Sequence, residues 1–90
     1  FIGEISCIGK DVYILTGSHD ICSPNFDLVT KSISIGNGVW VATGSYVLPG
    51  VQLSDMTVVS AHAVVIKSTE NNDIIGGNPA KFIKKRVIRN

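Results

Sequence analysis

His19 is the residue best suited to moving a proton in this sequence, and it stands in the run Thr16-Gly-Ser-His-Asp20. An imidazole changes charge near neutral pH, so a histidine at the mouth of a loop is able to take the proton from a weak nucleophile as it attacks. Residue type alone equally allows a loop-capping histidine, with Asp20 either holding the ring or shaping a turn. A hydrolytic relay is excluded, because Ser18, His19 and Asp20 are consecutive and neighbours in the chain do not reach the required geometry. Cys22 is close in sequence, but nothing marks its thiol as activated. His62 is expected on an outward position with no catalytic part. Two histidines, His19 and His62, are too few for a three-histidine zinc site, and no metal is expected. Cys7 and Cys22 make neither a disulfide framework nor a metal cluster and read as reduced thiols, which points to the cytoplasm.

A second group of side chains suits an anionic ligand. Of the eight Lys and Arg residues, five fall at Lys81, Lys84, Lys85, Arg86 and Arg89. The net charge is only +1, so this is a local patch and gives no reason to expect nucleic acid or an anionic membrane as partner. No apolar run approaches the roughly 20 residues that span a bilayer. Gly36-x-Gly38 lacks the third glycine and the surrounding strand–helix–strand unit of a dinucleotide fold.

What must position these residues is a repeat. Steps of six from Ile35 land on Val41, Val47, Leu53, Val59 and Val65, and the N-terminal stretch does the same with Ile2, Ile8 and Ile14. Four residues after each comes a small or β-branched side chain: Ser6, Val12, Ser18, Val39, Ser45, Val51, Thr57, Ala63 and Thr69. A helix face recurs every 3.6 residues, so a strict six-step would drift around it. The pattern fits a triangular coil in which every six residues make one short strand and one corner. Three such units, about 18 residues, close a turn, and stacked turns satisfy each other's backbone groups. Apolar content of 44% with only 7% aromatics suits layered aliphatics. The repeat is already running at Phe1, and a segment upstream is expected.

The register breaks once, between Ile14 and Ile35, which places a loop at about 19–34. It holds Pro24, Asn25 and Asp27 for turns, with Phe26, Leu28 and Val29 needing cover. After Val65 the pattern fades. Ile74 and Ile75 suggest a last strand, and Gly76-Gly-Asn-Pro79 breaks the chain. Pro79 suits a helix start, so a short basic helix is predicted from Ala80 to about Val87, within a tail at 79–90. Lys81 and Lys84 would then share one face, and Lys85, Arg86 and Arg89 would face solvent. The coiled body takes in 1–78.

Three segments in this order resemble the hexapeptide-repeat acyltransferases, above all the colanic acid biosynthesis type of O-acetyltransferase: Thr16-Gly-Ser-His-Asp20 with its loop, Ile35-Gly-Asn-Gly-Val-Trp40 through Leu48-Pro-Gly50, and Gly77-Asn-Pro-Ala-Lys81. The resemblance implies an all-β solenoid, a left-handed parallel β-helix with an ejected loop and a short C-terminal helix, assembled as a homotrimer with sites at the clefts between prisms. Periodicity does not give the handedness.

The same resemblance implies transfer of an acetyl group from acetyl-CoA to a sugar hydroxyl in surface polysaccharide synthesis, directly in a ternary complex, with His19 as general base. Trp40, expected to point outward, would lie beside the CoA arm, a trimer contact being the other reading. Thr43, Gly44, Ala61, Ile66 and Lys67 would line the CoA groove, although Thr43 and Ala61 also suit plain corner packing. Ile66 departs from the hydroxyl residue often found there, which removes a side-chain hydrogen bond at that position. Lys81 and Lys84 would meet the CoA phosphates. A xenobiotic or amine acetyltransferase of the same fold, and a non-catalytic scaffold, are the alternatives; a hexapeptide carbonic anhydrase lacks its histidines.

Overall fold

A computed structural model describes residues 2–19 and 28–89. The loop positions Asp20, Cys22, Pro24, Asn25, Phe26 and Asp27, and the side chains of Ser18, His19, Leu28 and Val29, lie outside the described residues.

Among the described residues every regular element is a strand: β1 (Cys7–Ile8), β2 (Tyr13–Ile14), β3 (Gly17–His19), β4 (Leu28–Thr30), β5 (Ser34–Ile35), β6 (Trp40–Val41), β7 (Tyr46–Val47), β8 (Gln52–Leu53), β9 (Val58–Val59), β10 (Val64–Val65), β11 (Asp73–Gly76) and β12 (Lys81–Lys85). They form three parallel ladders. The first runs β1-β6-β9-β11, the second β2-β7-β10, and the third pairs β5 with β8 and adds a bridge from Ile2 to Ile35. Trp40 pairs with Val58, Tyr46 with Val64 and Ser34 with Gln52, each 18 residues on and so three six-residue units. Cys7 pairs with Trp40 and Tyr13 with Tyr46, each 33 residues on. The excess holds an antiparallel hairpin, β3 against β4, with Gly17 opposite Thr30 and His19 opposite Leu28.

The side-chain alternation of a strand decides what is inside. Ile35, Val41, Val47, Leu53, Val59 and Val65 are all at most 1% exposed, and each contributes on the order of 1.5–3 kcal/mol by burial. The second repeating position is inside too, at Val39, Ser45, Val51, Thr57 and Ala63. Its hydroxyls are satisfied, Ser45 Oγ donating to Ser60 O at 2.9 Å and Thr57 Oγ1 lying 2.8 Å from Thr69 Oγ1, so burying them costs little. Ile2, Ile8 and Ile14 hold the same register, but among the described residues strands cover them on one side only, and Ile2 and Ile8 remain exposed.

Left-handed backbone recurs at stacked corners. Ile5, Gly38, Met56 and Asn72 make one such column, and Asp11, Gly44 and His62 another. Gly44 meets two demands there, a φ of +72° and the His62 ring against the place a Cβ would take.

The predicted C-terminal helix is absent. Residues Lys81–Lys85 form β12, which runs antiparallel along β11. The physical reason lies at the last parallel strand, whose open edge offers a row of unpaired N–H and C=O groups. A helix of some eight residues is marginal without packing, whereas a strand there completes a ladder. Gly77, at φ +98°, turns the chain back. The Asn78–Pro79 peptide is cis, and the chain beyond Pro79 enters β12 and no helix.

Candidate functional site

The outward face of the first ladder carries two columns fixed by register. Cys7, Trp40, Val58, Ile74 and Lys84 are successive partners. One residue on, Gly9, Ala42, Ser60 and Gly76 follow the buried row, and Gly76 pairs with Lys81. The second column is therefore a lane of small side chains lying beside Trp40 and ending at a lysine. Gly9 is close to the backbone of Val41, Ala42 and Thr43, where a Cβ would collide. At the far end Ile83 leans over Gly76 and narrows the lane.

Lys81 and Lys84 do share a face, for a reason other than a helix. Three apart on a regular strand they would point to opposite sides. The ladder shifts register between Ile74 and Ile75, so that Lys84 pairs Ile74 and Lys81 pairs Gly76. One extra residue in β12, Ile83, restores the two lysines to one side of the sheet.

An ion pair anchors that strand. Lys85 Nζ donates to Asp73 Oδ1 at 2.6 Å and to Asn71 O at 3.0 Å, while the Glu70 N–H donates to Asp73 Oδ2 at 2.9 Å. Burial pushes the Asp73 carboxyl up, but the Lys85 hydrogen bond, the Glu70 N–H and the Lys85 charge outweigh it and hold the group below its ordinary 3.8. Lys85 also lies 5.9 Å from the centre of the Phe82 ring. Arg86 is half-buried, and its Nη1 donates to Gly38 O at 2.8 Å. Lys85 is exposed as expected, though ion-paired, whereas the expectation that Arg86 faces solvent is corrected. Arg89 is exposed.

Thr43 and Gly44 occupy the corner beside the lane. Thr43 Oγ1 donates to Lys10 O at 2.6 Å, the Gly44 N–H reaches the same oxygen at 3.0 Å, and the His62 N–H donates to Thr43 O at 2.9 Å. Corner packing thus consumes the donor of Thr43 and leaves its oxygen as an acceptor. Ala61 is exposed on the next turn of this corner. Trp40 points outward at 53% exposure and shares a cleft of about 250 Å³ with Ile5, Cys7, Gly38, Val39 and Arg86.

Ile66 and Lys67 are elsewhere, directly after β10 on the second ladder, and both are exposed. Lys67 nonetheless joins Lys81 in one cleft of about 340 Å³ with Ser68, Thr69, Asp73 and Phe82. The His19 backbone lies in β3, in a hairpin rooted where the Lys31 N–H donates to Thr16 O at 2.8 Å. Thr16, Thr30, Lys31 and Ser32 line a cleft of about 320 Å³ at that root. One chain therefore brings together Trp40, Thr43, Gly44, Ala61, Lys81 and Lys84 along a single face, and roots the His19 hairpin at another corner. The lane and the Arg86 bond escaped the sequence reading. The lane was available in the residues following Ile8, Val41 and Val59, once these were aligned as one column.

Among the described residues no group of three or more His, Cys, Asp and Glu is gathered to hold a metal, and no helix is long and apolar enough to cross a membrane.

Short parallel strands in a six-residue repeat, carrying an aromatic, a small-residue lane and terminal lysines on one outward face, define a hexapeptide-repeat chain. The chain is homologous to hexapeptide-repeat acetyltransferases. It is 44% identical over 86 residues to a protein of Escherichia coli (strain K12) assigned to colanic acid biosynthesis as the acetyltransferase WcaF, an alignment taking in 96% of this chain and 47% of that protein. It therefore spans about half the length of the curated relative. Its structure matches a hexapeptide-repeat-containing acetyltransferase of Vibrio cholerae O1 biovar eltor, solved with acetyl coenzyme A, with a TM-score of 0.90 and 26% identity over 97% of this chain and 49% of that one. It also matches a galactoside acetyltransferase in complex with coenzyme A, with a TM-score of 0.88 and 28% identity over 93% and 44%. No protein-family model matches the chain.

Proposed function

We propose that the protein is an acetyl-CoA-dependent O-acetyltransferase that acts on a sugar hydroxyl in surface polysaccharide synthesis. The observation that carries this reading is the outward face of the first ladder, where the lane from Gly9 to Gly76 runs beside Trp40 and ends at Lys81 and Lys84. An extended pantetheine needs a path without bulky side chains, and its phosphates need cations at one end. Lys81 and Lys84 supply these charges, with Lys67 in the cleft it shares with Lys81, and Thr43, Gly44 and Ala61 border the path, whereas Ile66 follows β10 on the second ladder. The alignment with the WcaF relative takes in 96% of this chain, whereas that with a macrolide acetyltransferase of Lysinibacillus sphaericus takes in 58%. That favours a polysaccharide acceptor over a drug.

His19 is the general base in this reading. Its imidazole takes the proton of the acceptor hydroxyl as the oxygen attacks the thioester carbon. The carbon–sulfur bond then breaks, the thiolate leaves with that proton as free coenzyme A, and an O-acetyl ester remains. No acyl-enzyme forms.

The parallel ladders are read as turns of a left-handed β-helix, with the coiled body at 1–78 and the loop at about 19–34. The His19 hairpin leaves from a corner remote from the lane, which suits a homotrimer whose sites are completed between neighbouring prisms. The cytoplasm, where acetyl-CoA is available, is the expected location. The test is coenzyme A release from acetyl-CoA with a panel of sugar, amine and drug acceptors, with His19→Ala in parallel.

A further inference from the structure

Arg86 crosses the fold to reach a residue 48 positions earlier. Its backbone N–H donates to Asn72 O, and the Asn72 side-chain amide returns a contact to Arg86 O at 3.4 Å. The guanidinium Nη1 then donates to Gly38 O at 2.8 Å and lies 3.4 Å from Met56 O. Gly38 and Met56 are equivalent left-handed residues on consecutive turns of one corner, so a single charged group ties two turns to the C-terminal strand. A planar guanidinium with several N–H groups suits paired carbonyls in a way that an ammonium does not.

The Gly38 peptide is held from both sides. Its N–H donates to Glu4 O at 3.0 Å, its φ is +65°, and the Met56 thioether occupies the space a Cβ would need. Two residues later Trp40 begins β6. Arg86 and Trp40 line the same cleft, together with Cys7 and Val39.

We infer that Arg86 is a positioning residue for Trp40: it fixes the Gly38 turn and walls the indole, and so sets where the indole stands against the acyl donor. The last clause rests on the reading of Trp40 given under the proposed function. Charged hydrogen bonds of this kind govern on the order of tenfold in an equilibrium. Arg86→Ala is therefore expected to raise KM for acetyl-CoA about tenfold with kcat nearly unchanged, and Arg86→Lys, which retains one donor for Gly38 O, to recover part of the loss.

The experiment uses the full-length protein and the indole itself as probe. Trp40 is the only tryptophan of these 90 residues, and subtracting the Trp40→Phe counterpart of each protein isolates its emission. Without acetyl-CoA, Arg86→Ala is expected to shift that emission to the red and lower its anisotropy, with Arg86→Lys intermediate. Unchanged emission and anisotropy in Arg86→Ala would overturn the inference. Titrating the parent with acetyl-CoA checks the underlying reading separately. No change in Trp40 emission there would remove Trp40 from the donor site, while the ligand-free comparison still decides whether Arg86 positions it.

Discussion

Trp40 and Lys84 stand in the same outward column of the first sheet, joined through Val58 and Ile74 by consecutive register pairs. Three strand spacings separate them, about 15 Å. That distance suits an extended arm with an anionic end. Lys84→Ala and Lys81→Ala are each expected to raise KM for acetyl-CoA about two- to fivefold, since both side chains are exposed and solvent screens them. The effect should shrink in high salt. Steady-state kinetics at two ionic strengths checks both points, and a loss of kcat with unchanged KM would count against the assignment.

The lane beside Trp40 makes a steric prediction. Ala42 is half-buried and lies between Gly9 and Ser60. Ala42→Leu puts a branched side chain in the lane without touching the buried rows. Binding of acetyl-CoA should weaken by about tenfold or more, one lost or blocked contact of 1.4 kcal/mol being enough. The melting temperature should move little. Calorimetric titration and a thermal scan together separate blockage from unfolding.

The core makes a different prediction. Leu53 is 1% exposed in the third ladder. Leu53→Ala should cost about 2–5 kcal/mol of stability through lost burial and a residual cavity, read as a fall in the denaturant midpoint with an unchanged slope.

These buried rows were legible because the physics behind them is local and periodic. A six-residue spacing of Ile35, Val41, Val47, Leu53, Val59 and Val65 has few structural solutions, and all six are inside. The outward position of Trp40 followed from the same alternation. The C-terminal strand was not legible. Its lysine-rich sequence around Phe82 and Ile83 is compatible with a short helix, and the open edge of β11 decides otherwise. The bulge at Ile83 is equally a property of the pair, since only the register of β11 and β12 reveals it. The Arg86 bond to Gly38 spans 48 residues, beyond what any local pattern encodes.

Acid should loosen the C-terminal strand through Asp73. Its carboxyl is held below its ordinary 3.8 by Lys85 and the Glu70 N–H, against the opposing push of burial. A group depressed in the folded state stabilises above its unfolded pKa, and the contribution is lost as pH falls through the lower folded value. Asp73→Asn should therefore cost up to about 1 kcal/mol at neutral pH. The parent and variant should converge below pH 3.8 as the parent carboxyl protonates. Urea midpoints across that range provide the check. A gap that stays constant down to the lowest pH would contradict the pairing.

The part of His19 in the reaction is tested most directly by free-thiol release from acetyl-CoA in the full-length protein, with a panel of sugar, amine and drug acceptors and with His19→Ala alongside. The expected result is release that depends on a sugar acceptor and falls by about a hundredfold or more in the variant, the loss typical of a removed general base, while acetyl-CoA binding is retained. A His19→Ala protein as active as its parent, or release that responds to no sugar, would contradict it.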